Sequence, residues 1–424
     1  MTRQGATGSD QTGRPISALS ASVVIVSRGR PDALRLCLTG VAQLMHRKFE
    51  VIVVACPGGI SAAQSLPFST HLKLVPFDAA NIARARNLGI QQAAGEVVAF
   101  IDDDAVPEAT WLDHLTAPFA DPEVAAAGGW VRGRNGISYQ WQCRNVDATG
   151  ATQPLNLPDM RARVLRPGQG RAIKTEGTNM AVRREVLADL GGFDPAYHFY
   201  LDETDLNMRL ALAGLATALV PMAQVHHGYA ASDRRTGTRV PRDLGQIGAS
   251  MAVYLSRHCP EEQRATVWDA FGKEQRARLV HHLIRGALEP RDLRRLMRGL
   301  DQGYAAGLLR NAAPLARLPR AAIGFRPFQG RPNARSQVFA GRPWEAAALH
   351  VQAQAAAQAG HIATIYRFSP TALYHRVRFD PAGFWVQSGG LFGRSDRDQP
   401  RLRLCRFATR VARETTRTAQ IRGD

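Results

Sequence analysis

Short β-branched runs separated by amphipathic stretches fill the first hundred residues. Ser22–Ser27 (SVVIVS) is apolar nearly throughout, the pattern of a strand buried on both faces of a parallel sheet. Asp32–Leu44 spaces Leu34, Leu38, Val41 and Leu44 near the helical repeat, and Phe49–Ala55 (FEVIVVA) returns to a strand. A strand at Leu72–Pro76, a helix over Ile82–Ala94 and a strand at Glu96–Ile101 (EVVAFI) continue the alternation. Strands alternating with helices predict an α/β fold with helices covering both faces of a sheet. Ligands of such sheets sit beyond the carboxyl ends of the strands.

Farther along, the pattern loosens. Trp130–Thr175 is rich in Gly, Arg, Asn and Pro and reads as a long irregular segment facing an acceptor or acting as a lid. Asn179–Val182 reads as a strand, and Arg184–Leu190 as a helix stopped by Gly191-Gly192. Thr204–Ala213 is helical and Ala216–Val220 extended. After about Ser232 helical patterns cover Gly245–Arg257, Gln263–Gly272, Glu274–Gly286 and Pro290–Leu309. The last segment offers a strand at Gln337–Ala340, a helix at Trp344–Ala359 and a strand at His361–Arg367, a small β-α-β unit. The expected units are a disordered lead-in over 1–19, an α/β domain over 20–232, a helical extension over 233–311, a Pro- and Arg-rich linker over 312–334, and a small α/β region over 335–424. No internal repeat is present.

Composition narrows the class. The 424 residues are 45% hydrophobic and 21% charged, an ordinary globular balance. No apolar run approaches the roughly 20 residues needed to span a bilayer. The polar lead-in lacks the apolar core of a signal peptide. Five scattered cysteines, without paired spacing, predict reduced thiols and a cytoplasmic protein. The net charge of +18 raises nucleic-acid binding, but the arginines are dispersed and no stretch interleaves them with stacking aromatics. No nucleic-acid partner is expected. A basic surface does fit peripheral contact with anionic lipid at the inner face of a membrane.

Three clusters carry chemistry. Asp102-Asp103-Asp104 directly follows the strand EVVAFI, where three adjacent carboxylates repel unless a cation or hydrogen-bond donors offset them. Strand alternation points Asp102 and Asp104 to one side, a pair of oxygen ligands for Mg²⁺ or Mn²⁺ shared with substrate phosphates. The alternative is a solvated acidic turn capping a helix near Glu108–Leu115. In the second cluster, YLDETDLNMR, three acids fall within four residues, more than helix capping requires. Asp205 and Arg209 can pair at i,i+4, which leaves Asp202 and Glu203 at the helix mouth, one of them able to accept a proton. Crowding by like charge predicts a raised pKa for Glu203. The third cluster, His226-His227, ends an extended run, and neutral imidazole is a good Mn²⁺ ligand.

The order and spacing of SVVIVSRGR, NIARARNLGIQQAAGEVVAFIDDD, GTNMAVRREVLADLGGFD and YLDETDLNMRL with the following VHH resemble a family 2 glycosyltransferase of the GT-A, nucleotide-diphospho-sugar transferase fold. The resemblance covers about half of the chain, Ser22 to His227. It implies a divalent metal, with Asp104 as the foremost direct ligand, Asp102 and Asp103 at the metal and the donor's ribose and diphosphate, and His226, ahead of His227, completing the shell. It also implies that Glu203 is the catalytic base beside Asp202, that Arg86 and Asn87 lie against the donor site, and that Ser27 and Arg28 border the nucleotide. Where the family usually has an aspartate for the base of the nucleotide, this chain reads Val54-Ala55-Cys56-Pro57, and the usual Glu-Asp pair is Asp202-Glu203.

The implied activity is inverting transfer of a hexosyl or deoxyhexosyl group from a nucleotide-sugar donor to a glycan or lipid-linked acceptor, as in surface polysaccharide or glycolipid synthesis. The region after Ser232 is expected to serve acceptor transfer or localisation, not donor hydrolysis. Two other readings compete. A nucleotidyltransferase would normally show a Gly- and Lys-rich phosphate loop where this chain has SRGRPD, and a catalytically silent glycan- or membrane-binding module would not need Asp102, Asp104 and Glu203.

Overall fold

The computed structural model describes residues 19–228, 234–310 and 314–423. The expected lead-in lies outside them except for Leu19, as do Ser232 and Ala312. The chain begins with β1 (Ala21–Ser27), α1 (Pro31–Val41), β2 (Phe49–Ala55), α2 (Pro57–Gln64), β3 (Leu72–Pro76), α3 (Ile82–Gln92) and β4 (Val97–Asp102). The four strands pair in parallel in the order β4-β1-β2-β3. Alternate residues of each strand feed two separate cores. Val23, Ile25, Val51 and Val53 meet Leu34, Leu38 and Val41 of α1, while Val24, Ile52, Val54 and Phe100 meet Ala83 and Ile90 of α3. Local chemistry starts the helices: Pro31 opens α1, and the Asn81 side chain accepts the Arg84 N–H at 2.9 Å to cap α3.

Next come β5 (Ala105–Pro107), α4 (Trp111–Thr116) and β6 (Val124–Arg132). The segment expected to be irregular instead carries β7 (Tyr139–Trp141), β8 (Arg144–Asp147), β9 (Thr152–Pro154), β10 (Arg163–Leu165) and β11 (Arg171–Lys174). Strands of three or four residues are too short to show a repeat of two in the sequence. Three of them form an antiparallel sheet in the order β11-β8-β9.

After β12 (Asn179–Arg183), α5 (Arg184–Asp189) and α6 (Asp202–Leu212), the long strand β13 (Ala216–His227) closes the main sheet. Its path is β10-β13-β6-β12-β4-β1-β2-β3, and β12 runs antiparallel to both neighbours, so the sheet is mixed. β13 extends well beyond the expected Val220. Its ladder with β6 slips between Val220 and Gln224, around Pro221, which has no N–H to donate. That break hides the last turns of the strand in the sequence, and they carry both histidines.

The helices α7 (Gly245–His258), α8 (Glu261–Ile284) and α9 (Pro290–Leu308) follow. The two helices expected on either side of Lys273 are one helix of 24 residues. Gly272 costs it about 1 kcal/mol relative to alanine, too little to break a helix held by packing. Residues 314–335 form no helix or strand, yet they do not behave as a loose linker. Phe328 is buried against Phe49, its N–H donates to the Phe49 carbonyl at 2.8 Å, and the Arg326 N–H reaches Glu50 at 2.9 Å.

The remainder is β14 (Ser336–Gly341), α10 (Ala346–Gln358), β15 (Ile362–Ser369), β16 (Arg376–Asp380), β17 (Phe384–Gly390) and α11 (Phe407–Arg422). The expected β-α-β unit is β14-α10-β15 with its strands parallel; β16, β17 and α11 had no clear sequence signal. α11 returns to the first domain, where Thr110 N–H donates to the Ile421 carbonyl at 3.2 Å. Among the described residues, no helix is long and apolar enough to cross a membrane.

Candidate active site

A cleft of about 1330 Å³ opens over the carboxyl ends of β1 and β4. Ser27, Arg28, Arg86, Asp102, Asp104, Asp202, Glu203 and His227 all line it. Three other expected residues do not, and each has a physical reason.

Asp103 is fully buried beneath the cleft. It accepts from Ser27 Oγ at 2.7 Å and lies 2.5 Å from the Arg30 guanidinium. Burial, only partly opposed by Arg30, pushes its pKa up to about 7. Asp103 therefore anchors the loop after β1 and does not line the cleft. Asn87 faces away too: it donates to the Phe193 carbonyl at 2.7 Å and accepts the Phe193 N–H at 2.8 Å, clamping α3 to the loop before α6. His226, favoured over its neighbour as a metal ligand, points to the opposite side of β13. It bonds Glu108 at 2.8 Å and packs on Trp385 at 4.6 Å. Strand alternation sends consecutive side chains to opposite faces, so only one of the two histidines can reach the cleft.

That one is His227. One carboxylate oxygen from each of Asp102 and Asp104 and one ring nitrogen of His227 lie within 4.8 Å of one another. His227 Nε2 is 3.1 Å from Asp104, its Nδ1 is 2.9 Å from Gln140, and its ring stacks on Trp141. Two carboxylates and an imidazole form a donor set that suits a hard to borderline divalent ion, Mn²⁺ or Mg²⁺. Arg30 and Arg235 face Asp104 at 3.1 and 3.8 Å, which leaves two cationic groups beside this cluster.

Arg86 joins this cluster to the helix mouth. Its guanidinium is 2.5 Å from Asp202 and 3.3 Å from Asp102. A Cβ on Gly177 would come within 2.4 Å of that guanidinium, so any side chain there would have to displace it. Tyr200 and Leu201 precede α6 with φ of 74° and 67°, a left-handed pair unusual for residues with side chains. This tight turn aims the first residues of α6 into the cleft.

Glu203 does not have the raised pKa expected from crowding. Burial would raise it, but Lys174, 3.0 Å away, and Arg86 reverse that and hold it below the usual carboxylate range. The raised member is Asp202, through its own burial and the charge of Glu203, with Arg86 only partly opposing. Lys174 comes from β11, in the segment expected to be irregular, and also reaches Glu176 at 3.5 Å. Arg30, Gln140, Trp141, Lys174 and Arg235 were all missed; for Arg30 alone, the basic SRGR beside an acidic cluster was an available signal.

The cleft is also lined by Met251 of α7 and by Val267, Ala270 and Phe271 of α8. The region after Ser232 is therefore part of the cleft and not an appendage to it. Residue Cys56, at the end of β2, also lines the cleft, and its sulfur accepts the Gly29 N–H at 3.3 Å.

The chain is 28% identical over 218 residues to the pre-mycofactocin glycosyltransferase of Mycobacterium tuberculosis (strain ATCC 25618 / H37Rv), covering 49% of this chain and 42% of that protein. It is 31% identical over 121 residues to the N-acetylglucosaminyl-diphospho-decaprenol L-rhamnosyltransferase of the same strain, covering 28% and 38%. It thus spans less than half the length of these curated relatives. Among solved structures, the mannosyltransferase PcManGT from Pyrobaculum calidifontis, in complex with GDP-Man and Mn²⁺, aligns with a TM-score of 0.41 and 19% identity over 69% of this chain and 87% of that one. A score of that size leaves the family to the sequence match. The model of the family described as glycosyltransferase like family 2 matches residues 20–245, more than half of the chain and a span that includes Asp102, Asp104, Asp202, Glu203 and His227, and the chain belongs to that family.

Proposed function

We propose that the cleft binds a nucleotide-diphosphate sugar through a divalent ion and transfers the sugar, with inversion, to an acceptor hydroxyl. The observation that carries this reading is that Asp102, Asp104 and His227 open into the same cleft as Asp202 and Glu203. One group of ligands and one group of bases, joined by Arg86, is what a displacement at an anomeric carbon needs.

When bound, the ion would neutralise charge on the departing nucleoside diphosphate. Asp102, Asp104 and His227 would hold it, and Mn²⁺ suits the imidazole better than Mg²⁺ does. Arg30 and Arg235 would face the same phosphates. Glu203 would take the proton of the acceptor hydroxyl as its oxygen attacks the anomeric carbon on the face opposite the diphosphate. Its side chain is the more open of the pair, 17% exposed against 3% for Asp202. Lys174 keeps it ionised, and Arg86 holds Asp202 against the donor side.

The cleft exceeds the roughly 300–1,000 Å³ of a single small-molecule site, which fits a donor and an acceptor held together. The names of the relatives, one of which acts on a lipid-linked diphosphate, support a glycan or lipid-linked acceptor. The test is a panel of nucleotide sugars with and without Mn²⁺, read by released nucleoside diphosphate and by the anomeric configuration of the product. No release from any donor in the panel would reject the reading, and retained configuration would reject the single displacement.

A further inference from the structure

The small C-terminal sheet has a second feature that the cleft does not use. Its parallel strands β14, β15 and β17 end at Gly341, Ser369 and Gly390, and the loops leaving those ends lie side by side. Gly390 N–H donates to the Leu373 carbonyl at 3.0 Å, Phe392 N–H to Thr371 at 3.0 Å, and Arg403 N–H to Phe392 at 3.0 Å. The Arg342 guanidinium lies over the Phe407 ring at 4.5 Å, bringing the first loop to the same end.

Five large apolar side chains stand exposed on these loops: Trp344, Leu373, Tyr374, Leu402 and Leu404, each between 57% and 78% accessible. Arg376, Arg401, Arg403 and Arg406 stand exposed among them. The acids of the described loops are Glu345, Asp396 and Asp398. The run Arg401-Leu402-Arg403-Leu404 alternates the two chemistries residue by residue.

We propose that this end of the C-terminal sheet docks on an anionic lipid surface. Large apolar groups exposed together at one end of a sheet mark an interaction site. The charge complement decides the partner. Guanidinium groups pair with phosphates, and Trp, Tyr and Leu insert at the headgroup boundary, where one end is wet and the other apolar. A nucleic-acid backbone would satisfy the arginines but leave the leucines in water. An anionic leaflet satisfies both. Docking there would hold the protein at the surface where a lipid-linked acceptor is met, but the proposal stands on the loops alone and not on the activity of the cleft.

Flotation of the full chain with vesicles tests it, using phosphatidylcholine alone and phosphatidylcholine mixed with phosphatidylglycerol. The chain should float with the mixed vesicles, less so in high salt, and not with the neutral ones. Each arginine near an anionic surface is worth about fivefold in partitioning, so Arg401→Gln with Arg403→Gln should weaken binding about 25-fold. Leu402→Ser with Leu404→Ser should weaken it about tenfold or more. Melting curves identify any variant that fails to fold, and the other pair then decides. Trp344→Phe should abolish part of the fluorescence blue shift on vesicle binding. Failure of the full chain to float with the mixed vesicles, flotation of both variant pairs as strong as that of the unaltered chain, or capture only by an acidic protein would overturn the proposal.

Discussion

Two sets of buried carboxylates lie on opposite faces of β13 and behave in opposite ways. At the cleft, Asp202 in its wall and Asp103 beneath it are driven above the usual carboxylate range, while Glu203, paired with Lys174, is not. On the other face, Glu108 is gripped by Arg422 at 2.9 and 3.0 Å and by His226. Burial would raise Glu108, but Arg422 and His226 hold it at about 2. Glu414, between Arg410 and Arg417 in the C-terminal region, is likewise held at about 2. Asp103, Asp202, Glu108 and Glu414 are all buried carboxylates, so the difference is the supply of partners. Acids whose charge the protein itself satisfies fasten one region to another. Acids left in surplus at a cleft are arranged for charge that arrives from outside.

The largest expected effect sharpens that contrast at the surplus side. Asp104→Ala should remove all metal-stimulated turnover and the ligand-induced rise in melting temperature with Mn²⁺ plus donor, while the fold itself survives, because like-charge repulsion is relieved. His227→Ala should do the same, and His226→Ala should retain the metal response. A wild-type thermal shift in Asp104→Ala would mean that it is not a ligand.

Next in size is the base. Glu203→Gln should lower turnover by about 10²–10⁴-fold, the usual range for losing a general base, with donor affinity by calorimetry within a few-fold of wild type. If Asp202→Asn is the dead variant and Glu203→Gln turns over normally, the role belongs to Asp202. If both turn over normally, the helix mouth is only a cap.

On the satisfied side, Arg422→Met should cost about 3–5 kcal/mol in denaturant unfolding, because it leaves the buried Glu108 charge with only His226 beside it. Replacing Glu108 by Gln in the same chain should recover part of the loss. A cost below about 1 kcal/mol would show that the contact is not holding α11 to the first domain.

The smallest effects are in pH. Glu108 and Glu414 have folded pKa values below their unfolded ones, so their contribution is complete above about pH 4.5 and is lost as pH falls toward 2. Release of the C-terminal region, followed by the fluorescence of Trp385, should fall in that window. Activity separates the two candidate bases by sign. A depressed Glu203 keeps the acid limb of kcat/KM below the ordinary glutamate range, whereas a raised Asp202 would move the limb above it.

Much of this was legible because it is local. Buried strands declare themselves in runs such as SVVIVS and FEVIVVA, and the alternation of a strand end put Asp102 and Asp104 on one side before any tertiary contact was known. The acids at the start of α6 likewise follow from the sequence, since a helix N-terminus and its charge preference depend on a single turn. What needed the tertiary structure was every property set by a distant partner. Which histidine faces the cleft depended on the register of β13 beyond Pro221. The order of the Asp202 and Glu203 pKa values depended on Lys174, on a strand 29 positions upstream of Glu203. Glu108, read from the sequence as the edge of a capped helix, became a fastening point only because Arg422 reaches it across 314 residues. A charge's energy depends on what lies within a few ångströms, and the sequence records only what lies within a few residues.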